Sequence, residues 1–145
     1  MAYELHYASR DALINELRRV INGLMGATVD LRRAHDYAVL GFETAVKLMG
    51  DVAVQESYMR YCQVGGKLLA RNVRENTGVD FTFTCDLKTD LDNIMQVYYS
   101  LIFRKPRTAR YFAMVMLGII LNAAYATQRE RRKEQEQGQN PEEEM

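Results

Sequence analysis

The run YFAMVMLGIILNAAYATQ, residues 111–128, has no charged side chain and decides the fold of the chain. As a helix, its strongly apolar part, 111–126, would reach only about 24 Å at a rise of 1.5 Å per residue. A bilayer core is about 30 Å thick, so a membrane span would require local thinning. Basic residues flank both ends of the run and therefore indicate no orientation. We expect a helix buried at the centre of a bundle; the alternative is a membrane-inserted helix over 111–128.

Four amphipathic helices are predicted before this run, and each needs an apolar surface to cover. Apolar residues recur at three- and four-residue spacing within 9–26, 28–49, 52–74 and from about 86 to Pro106. The sequence therefore predicts an all-α bundle of about five helices around the central helix 111–126. The predicted core residues, one or more from each of four helices, are Leu17, Phe42, Leu101, Val115 and Ile119.

Capping and stop residues give the expected helix boundaries. Ser9 and Thr108 are expected to cap the first and last helices, because a side-chain oxygen can accept from the free amides of a first turn. The expected stops are Gly26, Gly50–Asp51 and Pro106. Asp86 or Asp90 is expected at the start of the fourth helix, where the helix dipole favours an anion.

Two segments depart from helical periodicity. The segment VDFTFTC, residues 79–85, alternates apolar and polar side chains, and we expect an extended connector with its aromatic residues in the core. The last segment, QRERRKEQEQGQNPEEEM, has no apolar face. The predicted division is therefore a bundle over 1–127 and a charged tail over 128–145, helical to about Gln137 and then a disordered acidic end.

The pair Gly65–Gly66 lies inside the third predicted helix. Two glycines cost about 2 kcal/mol of helix propensity relative to alanine, so we expect either a helix break or a close approach of another element. The following Lys67 superficially resembles a phosphate loop. The earlier glycine and the Ser or Thr after the lysine are absent, so no phosphate site is predicted.

The composition argues against several classes of function. Nineteen basic and nineteen acidic residues cancel, which disfavours a general polyanion binder such as a nucleic-acid-binding protein. Neither the two cysteines nor the two histidines have metal-ligand or redox spacing, and no nucleophile motif is present. We predict a non-enzymatic chain with no catalytic, cofactor or metal site. With no apolar run near residue 1, a cytoplasmic location is expected, with an intracellular membrane surface as the alternative.

The stretch QVYYSLIFRKPRTARYFAMVMLGIIL, residues 96–121, resembles the Bcl family of apoptosis regulators. Arg110 falls at the arginine of that family's Asn-Trp-Gly-Arg motif, whose other three residues differ here, and Gly118 falls at its central-helix glycine. The family's ligand-type Leu-x-x-x-Gly-Asp motif is similar to YCQVGGKLLAR from Tyr61 to Arg71, where Gly66 replaces the aspartate. Val46–Asp51 keeps Gly-Asp and is a second such stretch. The resemblance implies an apolar groove for an amphipathic helix, with Arg110 pairing with an acid of that helix.

The same stretch is also similar to the late helices of hepadnavirus-type capsid proteins, with Ser100 and Thr108 in place. That similarity implies a self-assembling, homo-oligomeric coat-type protein of viral origin. The predicted function is therefore protein–protein contact, either with a partner's amphipathic helix or with another copy of the chain. The predicted partner-binding residues are Arg110, Arg107, Tyr98, Gly65, Gly66 and Leu68.

Overall fold

The computed structural model describes the backbone of residues 7–143 and the side chains of residues 9–130, 133 and 134. Residues 7–143 form five α-helices and no β-strand. The helices are α1 (Tyr7–Gly26), α2 (Leu31–Met49), α3 (Val52–Thr77), α4 (Leu87–Leu101) and α5 (Pro106–Glu143). The predicted all-α bundle of about five helices is confirmed.

The helix α5 is the centre of the bundle, and all four other helices pack against it. Its buried side chains include Phe112, Met116, Leu117 and Ile120. Its segment Pro106–Glu130 is the one described helical segment long and apolar enough to cross a membrane by length and composition. Most of that segment's apolar window is buried inside the bundle, which is the arrangement of a core helix.

Four of the five predicted core residues lie in the core of the structure. Leu17, Phe42, Leu101 and Ile119 are buried. Val115 is only half-buried, so its prediction as a core residue is wrong. Val115 lies on the same face of α5 as the exposed side chain of Asn122, seven residues later, and this face turns away from the core.

The helix ends are determined by caps, only some of which were predicted. The side chains of Asp30, Asp51 and Asp86 accept from backbone amides in the first turns of α2, α3 and α4, and α1 ends at Gly26 as expected. The predicted caps at Ser9 and Thr108 are wrong. Both residues lie inside helices, because α1 begins at Tyr7 and α5 begins at Pro106. Proline suits a first helical position, since its fixed φ is helical and its missing N–H needs no partner there.

The connector between α3 and α4, residues 78–86, forms neither helix nor strand, and Gly78 and Cys85 within it have φ angles of 74° and 72°. The ring of Phe81 is buried and lies 6.1 Å from the ring of Phe112 and 4.9 Å from that of Phe83, measured between centroids. The connector therefore runs from the end of α3 across the bundle and is fixed to the core by its aromatic side chains.

The tail is helical over more residues than predicted. The helix α5 continues to Glu143, past the predicted helical limit at about Gln137, and 144–145 lie outside the described residues. Residues 129–137 are almost all strong helix formers. A helix already formed in the core can propagate through such residues at little cost.

Candidate functional site

The candidate site lies on the helix α3 and results from a gap in its buried stripe. The side chains of Val54, Tyr58 and Cys62 are buried before the gap, and those of Leu69 and Val73 after it. At helical spacing the next inward positions after Cys62 are 65 and 66, where the sequence has two glycines. The absence of side chains there leaves space that a larger residue would fill.

Two large apolar side chains lie beside this gap and point into solvent. Val64 is 91% exposed and Leu68 is 68% exposed, one helical turn apart on the same side of α3. Tyr61, one helical turn before Gly65, is half-buried. We call Tyr61, Val64, Gly65, Gly66 and Leu68 the α3 apolar face.

The surroundings of the two glycines contradict the predicted break or close approach. The helix α3 runs without interruption from Val52 to Thr77. A Cβ built on Gly65 would have one neighbouring atom within 4 Å, the Cγ of Leu69 at 3.9 Å, and a Cβ on Gly66 would have none. The predicted close contact is therefore wrong, because no neighbouring element occupies the space beside these glycines.

Two grooves border the α3 apolar face, and Val64, Gly65 and Leu68 line both. The groove between α3 and α5 has a volume of about 470 Å³ and is floored by Leu69 and Ala126. The groove between α3 and the connector has a volume of about 560 Å³. The side chains that line this second groove from the connector are Phe81, Thr82, Phe83 and Cys85.

Charged groups lie at the rims of these grooves. The guanidinium of Arg60 donates to both carboxylate oxygens of Glu130, at 2.9 and 3.0 Å, across one end of the α3–α5 groove. Lys67 is exposed and lines the other groove. An apolar floor with a charged rim suits an amphipathic helix, whose apolar side chains fill the recesses while its polar side chains remain in water.

Arg110 lies elsewhere, and its guanidinium is bound within the fold. Its side chain is buried, and its Nε and Nη2 atoms donate to the carbonyl oxygens of Leu24 and Met25, at 2.9 and 3.0 Å. These carbonyls belong to the last turn of α1, where the helix dipole is negative, and the Leu24 carbonyl also accepts from the Ala27 amide at 3.3 Å. Arg110 therefore joins the end of α1 to the start of α5.

Tyr98 and Arg107, the other predicted residues on α4 and α5, do not belong to the site. Tyr98 is buried, its ring packs against that of Phe42, and its hydroxyl lies 2.8 Å from Nδ1 of His35. Burial raises the pKa of Tyr98 above its ordinary value. Arg107 is exposed in the first turn of α5 and lines neither groove. Of the six predicted partner-binding residues, only Gly65, Gly66 and Leu68 lie together, lining the groove between α3 and the connector.

Sequence reasoning missed two buried carboxylates that organise the interior. The carboxylate of Asp51 accepts from Nε of Arg10 at 2.6 Å, which ties α1 to the start of α3. The carboxylate of Asp90 accepts from the Tyr58 hydroxyl at 2.7 Å and from the Thr84 amide at 2.9 Å. Burial, followed by this bond, raises the pKa of Tyr58 well above its ordinary range. Both carboxylates are satisfied within the fold and stabilise it.

Two further features concern the thiol groups and the possible metal ligands among the described residues. Cys62 and Cys85 are free thiols, and burial raises the pKa of Cys62 to about 11, which keeps it protonated and unreactive at neutral pH. The part of the chain with described side chains contains no group of three residues that could bind a metal ion.

Comparisons of the sequence and the fold with known proteins found no similar one. The chain matches no protein family, no curated protein and no solved structure.

Proposed function

We propose that the chain is a non-enzymatic protein that self-associates through the α3 apolar face. The observation that carries the proposal is the exposure of Val64 and Leu68 beside two glycines with open space around them. Fully burying one such side chain contributes about 1.5–3 kcal/mol. Two of them on one helix face therefore favour association with another apolar surface.

A second copy of the same face suits this surface because it offers both projections and recesses. Leu68 and Val64 project from α3, and Gly65 lies beside them as a recess. When two α3 helices pack antiparallel about a two-fold axis near Gly66, Leu68 of each copy lies opposite Gly65 of the other. A two-fold interface requires this kind of self-complementarity, since each residue meets the same surface on its partner.

This self-association keeps the recognition of a helix in a groove that the Bcl resemblance implies. It places the site of recognition on α3 and not at Arg110. It also agrees with the self-assembly that the capsid resemblance implies. The buried Arg110 has no part in it, because its guanidinium is bound to two carbonyls of α1.

The test is the mass of the full chain by sedimentation equilibrium over a range of concentrations. We expect a reversible dimer in the parent chain. Leu68→Asp should weaken it at least tenfold, since it places a charge in the interface. Gly65→Leu should weaken it by filling the recess that lies opposite Leu68. Phe103→Asp is the matched control, because Phe103 is as exposed as Val64 but lies in the α4–α5 loop.

Two results would contradict the proposal. One is a parent chain that remains monomeric at every concentration. The other is a dimer that Phe103→Asp weakens as much as Leu68→Asp does. Far-UV circular dichroism of each variant should show the parent helix content, which excludes unfolding as the cause.

A further inference from the structure

Two loops at one end of the bundle each carry a large apolar side chain in solvent. Residues 27–30 join α1 to α2, and residues 102–105 join α4 to α5. Val29 in the first loop is 92% exposed, and Phe103 in the second is 91% exposed. We call these two loops, with the first turns of α2 and α5 that follow them, the loop end.

The two loops are fixed by internal hydrogen bonds. The amides of Arg104 and Lys105 both donate to the carbonyl of Leu101, at 3.1 and 2.7 Å. In the other loop, the Ala27 amide donates to the Gly23 carbonyl at 3.1 Å. Because Arg110 also ties the last turn of α1 to the first turns of α5, the two loops are held side by side. Val29 and Phe103 therefore project from neighbouring loops that backbone hydrogen bonds join to the ends of α1 and α4.

The charges of the loop end are strongly one-sided. The segments 27–33 and 102–107 contain five basic residues and one acidic residue, Asp30, whose carboxylate caps α2. All five basic side chains are exposed: Arg32, Arg33, Arg104, Lys105 and Arg107. The chain as a whole has a formal net charge of zero, so this excess is compensated elsewhere.

Neighbouring charges at the end of α3 do not cancel this excess. Arg74 and Asp80 pair with each other at 3.4 Å, and the remaining acid there is the exposed Glu75. The contact of Phe81 with Phe112 places this region near the start of α5. The loop end therefore remains positively charged when this neighbouring region is included.

We infer that the loop end docks on the surface of an anionic lipid bilayer. Val29 and Phe103 enter the boundary between headgroups and acyl chains, and the five basic side chains contact lipid phosphates. Tyr99 and Tyr111, each about half exposed, suit the headgroup level because their rings are apolar and their hydroxyls polar. The helix α5 remains in the bundle, so the contact is peripheral.

A bilayer suits this surface better than a nucleic acid does. Single-stranded nucleic acids bind along a basic groove with successive aromatic platforms. Here one of the two projecting side chains is the aliphatic Val29, which offers no ring for base stacking, and the basic residues surround two loop tips. A flat anionic surface with an apolar interior therefore accounts for the basic side chains around the loop tips and for the exposed Val29 and Phe103.

The test is co-flotation of the full chain with lipid vesicles, either pure phosphatidylcholine or phosphatidylcholine mixed with phosphatidylserine. We expect binding to the mixed vesicles that weakens as salt increases. Arg104→Gln, Lys105→Gln and Arg107→Gln together should weaken binding about a hundredfold, and Phe103→Ala together with Val29→Ala about tenfold or more. Val46→Ala is the apolar control and should leave binding unchanged, as should Lys47→Gln with Lys88→Gln for charge, because all three residues are exposed outside the loop end and the α3 apolar face.

Three results would overturn the inference. The first is equal binding to both vesicle types, and the second is a control variant that loses as much binding as the loop variants. The third is binding of a single-stranded oligonucleotide that competes with vesicles and depends on Phe103. Because the loop variants leave the α3 apolar face unaltered, failure here is distinguishable from failure of the proposed self-association.

Discussion

Gly41 on α2 and Gly66 on α3 have opposite surroundings. A Cβ on Gly41 would lie 2.5 Å from a methyl carbon of Leu117 and 3.0 Å from one of Val20, so α2 approaches α5 and α1 closely at this point. A Cβ on Gly66 would have no neighbouring atom within 4 Å. The same residue type serves close packing on one side of the bundle and leaves a groove on the other.

This difference divides the molecule into a packed side and an open side. The packed side is formed by α1, α2 and α5, where leucines and small residues fill the interior. The open side is the α3 apolar face with its two grooves. Substitutions on the packed side should alter the free energy of unfolding, and those on the open side should alter association instead.

The largest expected difference concerns two leucines. Leu17 is fully buried and Leu68 is 68% exposed. Leu17→Ala should lower the free energy of unfolding by about 2–5 kcal/mol, because it removes buried contacts and leaves a cavity. Leu68→Ala should alter the free energy of unfolding of the monomer by no more than about 0.5 kcal/mol. Urea denaturation at low protein concentration measures both changes in unfolding free energy. Equal urea midpoints for the two variants would contradict the division into a packed side and an open side.

The second difference concerns two arginines near the start of α5. Arg110→Ala should lower the free energy of unfolding by about 1–3 kcal/mol, because the buried Leu24 carbonyl and the part-buried Met25 carbonyl lose a charged donor. Arg107→Ala should have an effect within about 0.5 kcal/mol, since its side chain is exposed. Thermal denaturation of both variants checks this, and a neutral Arg110→Ala would show that the α1–α5 connection does not stabilise the fold.

The third difference concerns the two glycines and predicts effects of opposite sign. Gly41→Ala should destabilise the fold by about 1–3 kcal/mol, since the added methyl group overlaps Leu117 and Val20. Gly66→Ala should stabilise the monomer by about 1 kcal/mol, because alanine favours helix and meets open space. A Gly66→Ala monomer that is less stable than the parent would contradict this prediction, because it would mean that another part of the chain fills the space beside α3 in solution.

Local periodicity was sufficient to predict the fold. The uncharged run 111–128 and the apolar stripes before it correctly indicated five helices, because a helix that buries one face must repeat apolar residues every three or four positions. The alternation in residues 79–85 likewise indicated the connector, with Phe81 in the core.

The surroundings of individual residues could not be predicted in the same way. Arg110 follows a charged segment, which favours a surface position, yet its partners are carbonyls of α1, 85 and 86 residues earlier in the chain. For Gly65–Gly66, the sequence shows the missing side chains but not whether another element fills the space. Val64 was missed, although its position beside the glycines and one turn before Leu68 was a usable signal.

The smallest difference concerns the aspartates that cap two helices. Asp51 caps α3 on the packed side and is buried against Arg10, whereas Asp86 caps α4 at the end of the connector and is exposed. Hydrogen bonds from the Thr89 hydroxyl and then the Thr89 amide lower the pKa of Asp86 below its ordinary value. Asp86→Ala should cost about 1 kcal/mol at neutral pH, as for other lost N-caps.

Because the pKa of Asp86 is lower in the folded chain than in the unfolded chain, its stabilising effect is complete above the unfolded pKa and is lost as pH falls through the folded pKa. The difference in unfolding free energy between the parent and Asp86→Ala should therefore shrink below about pH 4, where an unfolded aspartate begins to protonate. Asp86→Asn is the control: asparagine caps a helix about as well as aspartate but does not titrate, so its difference from Asp86→Ala should not shrink with pH. A parent and an Asp86→Asn chain with the same pH dependence would show that this carboxylate is not bound by Thr89 in solution.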